Sequence, residues 1–243
     1  MKNTYAEKYY DNFLKDLPTD YKSARWFSSK SAQLDYAQTK RSLDFALGGT
    51  TYTDVLEIGP GDGVWTDLIL PKAANLTLLD QSIEMLNRAK DRLKEHASVS
   101  YVHSDFLKFE ETKTFDLIFA IRCFEYFEDK DAAMQKFSNL LNPGGKLIIV
   151  TKNPEHATMA KVQQRELHSG QMKQAELNSL LKKYDLAVRT NLSATWRFKA
   201  KYAVMRGIFN GLHILHVLTK GYFKVPGATQ ALTESYLYVA TKK

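Results

Sequence analysis

At 243 residues and 27.8 kDa the chain is long enough for one α/β domain with a sizeable core, and 44% hydrophobic with 25% charged residues excludes global disorder. A single cysteine, Cys123, excludes an intrachain disulfide and a thiolate zinc site and fits a reducing, cytoplasmic setting. The formal net charge of +7 and a pI near 9.2 favour an anionic partner, and nucleic acid, anionic lipid and phosphorylated sugar all qualify.

The first residues turn polar at once, so no secretion signal is expected there. Residues 1 to about 47 read as helical and rich in aromatics, among them Tyr21, Trp26 and Tyr36. An alternation follows: strand 53–58, helix 62–71, strand 76–80, helix 83–95, strand 99–103, strand 115–121, helix 130–141 and strand 145–151. Strands separated by helical patterns imply right-handed crossovers and a mostly parallel sheet. Asn142, Pro143, Gly144 and Gly145 stop a helix and turn the chain into the next strand. A helix over 173–184, a strand over 186–193 and a last strand at 236–240 complete the pattern, with an insertion of about 195–234 before that last strand. A hairpin needs only a few residues, so the insertion calls for a role of its own.

The most informative stretch is Val55-Leu56-Glu57-Ile58-Gly59-Pro60-Gly61-Asp62-Gly63, an apolar strand that runs into glycines at every second position. Glycine there permits positive φ angles and close approach of a ligand to the backbone. The spacing is E-x-G-x-G-x-G and not the G-x-G-x-x-G of dinucleotide-binding folds. Seventeen residues after Gly63 a second strand ends in Asp80, a third ends at Ser104-Asp105-Phe106, and a fourth spans Phe115 to Ala120. This order of strand-end signatures resembles the Rossmann-like, class I S-adenosylmethionine-dependent methyltransferases over roughly residues 50–193 and 235–241.

The resemblance implies a doubly wound α/β domain with a mostly parallel seven-stranded sheet whose last strand is antiparallel. It would carry an N-terminal helical cap (1–50), a cofactor-binding core (51–194), the helical insertion (195–234) and the last strand (235–241). It implies S-adenosyl-L-methionine as cofactor. Glu57 would organise the loop and the methionine end, together with Gly59, Gly61 and Gly63. Asp80 would accept the ribose hydroxyls, with capping of the helix that begins near Ser82 as its alternative. Gln81, Asp105 and the Phe106 backbone would face the adenine, and Ile121 the methionine moiety.

The segment from Arg122 to Asp129 follows the fourth strand, where open α/β sheets place ligands. Glu125 and Tyr126 are candidates for acid–base or positioning roles and Arg122 for an anionic acceptor. Alternatively, Tyr126 packs on the next helix and Arg122 pairs with Glu125 or an exposed acid. Arg122 and Tyr126 replace the first Glu and the His of the E-x-x-E-H seen in metal-dependent relatives, so no catalytic metal is expected. Lys152 and Asn153, after the fifth strand, read as a solvated loop.

Within 195–224, Tyr202, Met205, Phe209, Leu212, Leu215 and Leu218 fall at helical spacing, opposed by Arg206, Asn210, His213 and Lys220. The pattern is an amphipathic helix too short and too interrupted to span a bilayer, with His213 and His216 on its surface. Three readings stay open: a lid over the acceptor, a peripheral membrane contact with Trp196, Phe198 and Tyr222 at the interface, or a dimer contact. The expected acceptor is a small molecule, glycan or lipid methylated on O or N. An RNA methyltransferase or a non-catalytic cofactor-binding subunit is the alternative; scattered lysines and the absence of an RNA-binding appendage speak against nucleic acid.

Overall fold

The computed structural model describes residues 20–94, 96–156, 170–197, 203–221 and 229–243, together with Lys8, Asn12, Leu14 and Leu17. A π-helical turn at Ser23–Phe27 precedes α1 (Lys30–Leu47), whose first turn is capped by the Ser29 hydroxyl accepting the Ala32 N–H at 3.1 Å. The chain then alternates: β1 (Tyr52–Ile58), α2 (Thr66–Ile69), β2 (Ala73–Asp80), α3 (Ile83–Leu93), β3 (Val99–His103), β4 (Phe115–Ile121), α4 (Lys130–Leu140) and β5 (Leu141–Lys152). It continues through α5 (Gln174–Lys183), β6 (Leu186–Trp196), α6 (Ala203–Leu218), α7 (Thr229–Leu232) and β7 (Thr233–Lys242).

The seven strands form one sheet in the order β3-β2-β1-β4-β5-β7-β6, parallel except where β7 runs antiparallel between β5 and β6. This is the expected architecture. Val55, Leu56 and Ile58 of β1 and every apolar residue of β4 are buried, as in a sheet covered on both faces. One apolar layer gathers Leu43, Leu47, Trp65 and Leu78 under α1 and α3; the other gathers Phe106, Phe124, Phe137 and Tyr238 under α4 and α5. The chain leaves β1 toward β2 on one side and returns to β4 on the other, and that reversal opens a crevice beyond their carboxyl ends.

Several boundaries differ from expectation for local reasons. The helix expected over 62–71 shrinks to α2 and a 3₁₀ turn at Leu70–Lys72, because Gly61 and Gly63 take φ of +60° and +82° and Gly63 closes a turn onto the Pro60 carbonyl. The fifth strand starts at Leu141, since the Asn142–Gly145 segment is an irregular part of the strand rather than a loop before it. Much of the expected N-terminal helix, residues 1–19, lies outside the described residues apart from four isolated positions.

The insertion differs most. Helix α6 turns its polar side inward: His213 and His216 are fully buried, not on the helix surface. Arg41 of α1 donates to Asn210 Oδ1 at 3.3 Å. Trp196 is buried too and offers nothing to an interface, while Phe198 and Tyr222 lie outside the described residues. The cause is the edge of the sheet. β6 is the outermost strand, and its exposed backbone groups need partners. His216 Nε2 accepts the Ser193 N–H at 3.0 Å, and His213 Nε2 lies 3.1 Å from the Ser193 carbonyl. Gln38 and Ser42 of α1 take the Trp196 N–H and the Ala194 carbonyl at 2.8 and 3.1 Å. Among the described residues no helix is long and apolar enough to cross a membrane.

Candidate active site

A cavity of about 380 Å³ occupies the crevice. The ends of β1, β2, β3 and β4 bring Gly59, Gly61, Asp80, Gln81, Asp105, Phe106 and Ile121 to its wall, and the turn after β4 adds Arg122, Glu125 and Tyr126. Ten of the twelve residues singled out in the sequence therefore share one cavity; Glu57 and Gly63 stand behind it.

The glycines divide the work. At Gly59, with φ of +63°, a Cβ would lie 2.7 Å from the Cys123 Cβ, so that glycine is needed for the β4 turn to close over the loop. At Gly61, with φ of +60°, a Cβ would meet only Met85 Sδ at 3.9 Å, and the missing side chain leaves the backbone open to the cavity. Gly63 faces Ala89 of α3 and packs helix on loop.

Glu57 is buried beneath the loop and accepts the Thr66 hydroxyl at 2.6 Å. Burial pushes its carboxyl up to about 8, against the opposing pull of that hydrogen bond and reinforced by Asp67 and Asp80. Asp80 accepts the Gly61 N–H on Oδ2 at 3.2 Å and the Ser82 N–H on Oδ1 at 2.9 Å. The helix cap is Ser82 itself, whose hydroxyl accepts the Met85 N–H at 3.2 Å. Asp80 thus braces the loop from the cavity wall. Asp105 accepts the Leu107 N–H at 2.9 Å and folds a turn, and the Phe106 ring stacks on Phe137 in the core.

The side of the cavity formed by the turn after β4 carries a largely buried ionic network. Arg122 adopts φ of +60°, and its Nη2 donates to Asp35 Oδ1 of α1 at 3.0 Å; neither Glu125 nor an exposed acid is its partner. Arg197 reaches Asp35 at 3.5 Å and Glu234 at 2.9 Å, and Lys152 reaches Glu234 at 3.0 Å. Burial alone would raise the Asp35 carboxyl, but Arg122, Lys152 and Arg197 overrule it and hold it at about 2. Lys152 is largely buried and lines the cavity, not a solvated loop, and burial with Arg122 nearby brings its ammonium down to about 8. Asn153 is likewise buried, its amide donating to the Thr233 carbonyl at 2.8 Å. Glu125, also buried, accepts the Thr151 hydroxyl at 3.2 Å. Tyr21, Arg25 and Trp26 close the cavity from the N-terminal side.

Asp35, Lys152 and Glu234 come from three distant parts of the chain, and sequence reasoning passed over them as site residues. The only signal was their position near strand ends or on a helix, which a solvated residue shares.

The family model for a methyltransferase domain matches residues 56–147. An uncharacterized methyltransferase of Bacillus cytotoxicus is 30% identical over 166 residues, covering 65% of this chain and 72% of the relative. The chain belongs to the S-adenosylmethionine-dependent methyltransferase family. This methyltransferase is also 28% identical over 124 residues to a malonyl-acyl-carrier-protein O-methyltransferase of Ilyobacter polytropus, with 48% of each chain covered, so it matches about half the length of that relative. Its fold is shared with the N-methyltransferase NodS of Bradyrhizobium japonicum in complex with S-adenosyl-L-homocysteine, at a TM-score of 0.65, 18% identity and coverage of 96% of this chain and 97% of that one.

Proposed function

We propose that this methyltransferase acts in the cytoplasm and moves a methyl group from S-adenosyl-L-methionine to an oxygen or nitrogen of a small-molecule, glycan or lipid-type acceptor. Asp80 would hold the ribose, and Gln81, Asp105 and Phe106 the adenine. Gly59, Gly61 and Ile121, with Glu57 behind them, would hold the methionine end. The observation that carries this reading is a single cavity in which Asp80 and the glycine loop share walls with Arg122, Glu125 and Tyr126.

The donor set fits the cofactor: an open glycine backbone, a two-oxygen carboxylate on the cavity wall and a second, buried acid beneath a site for a cationic sulfonium. When bound, the cofactor supplies an electrophilic methyl on a good leaving group. The protein's task is then alignment, and holding two reactants in near-attack geometry is worth on the order of 7–11 kcal/mol. Glu125 and Tyr126 can orient an acceptor. Arg122, fixed by Asp35, positions the turn that carries Glu125.

Calorimetry tests the donor site, and incubation of fractionated cell extract with methyl-labelled cofactor tests the reaction. Saturable binding lost in Asp80→Ala, with label entering a small-molecule, glycan or lipid pool, supports the reading. Unchanged binding in Asp80→Ala, or label entering only RNA, overturns it.

A further inference from the structure

Helix α6 leaves an apolar face without a partner among the described residues. Val204, Ile208 and Leu218 are 72, 52 and 67% exposed, and Met205, Ile214 and Leu215 stand exposed beside them. Residues 204, 208, 211, 215 and 218 share one side of the helix, and at Gly207 and Gly211 an added Cβ would meet nothing within 4 Å. The opposite side is committed to the edge strand through His213 and His216, so the helix cannot roll its apolar face inward without stripping Ser193 of both backbone partners.

The charge of the surrounding sequence is one-sided. Between Asp185 and Glu234 the sequence contains Arg189, Arg197, Lys199, Lys201, Arg206, Lys220 and Lys224 and no Asp or Glu. The whole formal net charge of +7 therefore resides in this stretch, the remaining lysines and arginines balancing the 27 acids. Of these, Arg197 is paired inside the chain with Asp35 and Glu234, whereas Lys220 is exposed two residues after the helix and Arg206 lies within it.

We propose that the outer face of α6 docks on an anionic lipid bilayer, the helix lying in the plane of the head groups. Its 16 residues are too few to span the hydrocarbon core, whereas an exposed apolar stripe flanked by cations is what an interfacial helix needs. A bilayer answers both features at once: acyl chains meet the stripe and acidic head groups meet the cations. A second copy of the chain would bring one cation-rich, acid-free stretch against another, and a nucleic acid would have no use for six exposed aliphatic side chains.

The test is flotation of the full chain with phosphatidylcholine vesicles, with and without phosphatidylglycerol. Wild type should float with the phosphatidylglycerol vesicles, stay behind with phosphatidylcholine alone, and lose binding as salt is raised. Ile208→Glu/Leu218→Glu should reduce binding by roughly tenfold or more at an unchanged thermal midpoint, and Lys220→Glu should reduce it on anionic vesicles only. If the double variant fails to fold, Val204→Glu at the most exposed position takes its place. Absence of flotation, equal flotation on both vesicle types, or undiminished flotation of the folded variants overturns the proposal. So does a dimer that these substitutions dissolve in a protein that ignores vesicles.

Discussion

The guanidinium of Arg122, on the turn after β4, donates to the carboxylate of Asp35 in α1 at 3.0 Å, with Asp35 buried and Arg122 largely so. The N-terminal helix is thereby tied to the wall of the active-site cavity. Removing one member of a buried pair leaves the other uncompensated, which typically costs about 3–5 kcal/mol. Asp35→Ala should lower the urea midpoint accordingly.

The Glu57 carboxyl gives a pH signature. Its value in the folded protein, about 8, lies above the ordinary 4.5, so its contribution to stability is fully present below 4.5 and is lost as the pH rises through 8. Glu57→Gln should remove that loss, and the thermal midpoint of the variant relative to wild type should climb between pH 4.5 and about 8, the window set by the same shift, and level off above it. A cationic cofactor beside Glu57 favours ionisation, so its affinity should increase as the pH approaches 8 in wild type and stay flat in Glu57→Gln. Calorimetry in two buffers of different ionisation enthalpy measures the proton released.

Two glycines of one loop should respond differently to the same change. Gly61→Ala costs only the positive φ, about 1–2 kcal/mol, because its new methyl meets no closer atom than Met85 Sδ at 3.9 Å. Gly59→Ala adds a 2.7 Å collision with Cys123 and must displace the β4 turn. Thermal unfolding should show the larger loss for Gly59→Ala, whereas Gly61→Ala should keep most of the stability and lose cofactor affinity.

His213 predicts an acid limit. Its Nδ1 lies 3.1 Å from Arg41 and its Nε2 3.1 Å from the Ser193 carbonyl, so the ring is neutral, accepting from Arg41 and donating to Ser193. Burial brings it down from 6.5 to about 3, and Arg41 and His216 oppose its charge further. A depressed value means that stability is present above 6.5 and is lost as the pH falls from there toward 3. Trp196, whose ring lies edge-on to His213 at 5.4 Å, should report the loosening of α6 by fluorescence. His213→Gln should flatten the acid limb.

That the glycine loop and the strand-end acids meet at one cavity was legible because their positions are local. Three glycines in one turn and acids at successive strand ends lie within 50 residues of one another, and each occupies a position that regular alternation of strand and helix marks out. The ionic network was not. Arg122 was visible, but its partner Asp35 sits mid-helix among residues of ordinary helical periodicity, and Glu234 sits about eighty residues beyond Lys152. Pairings of that range depend on strand order, which periodicity does not encode. The insertion shows a different gap: hydrophobic patterning left open whether the apolar stripe of α6 meets a lid, a membrane or a second copy, and it put His213 and His216 on the surface because periodicity does not register the hydrogen-bonding sheet edge that buries them.

Cys123 sits directly under Gly59, its thiol donating to the Ile58 carbonyl at 3.1 Å, and burial raises that thiol well above its usual range. Thiols react as thiolates, so a closed loop leaves this one inert to alkylating agents. Labelling therefore has to wait for the segment after β1 to lift away, and with one sulfhydryl in the chain the labelling rate becomes a clock for that opening alone.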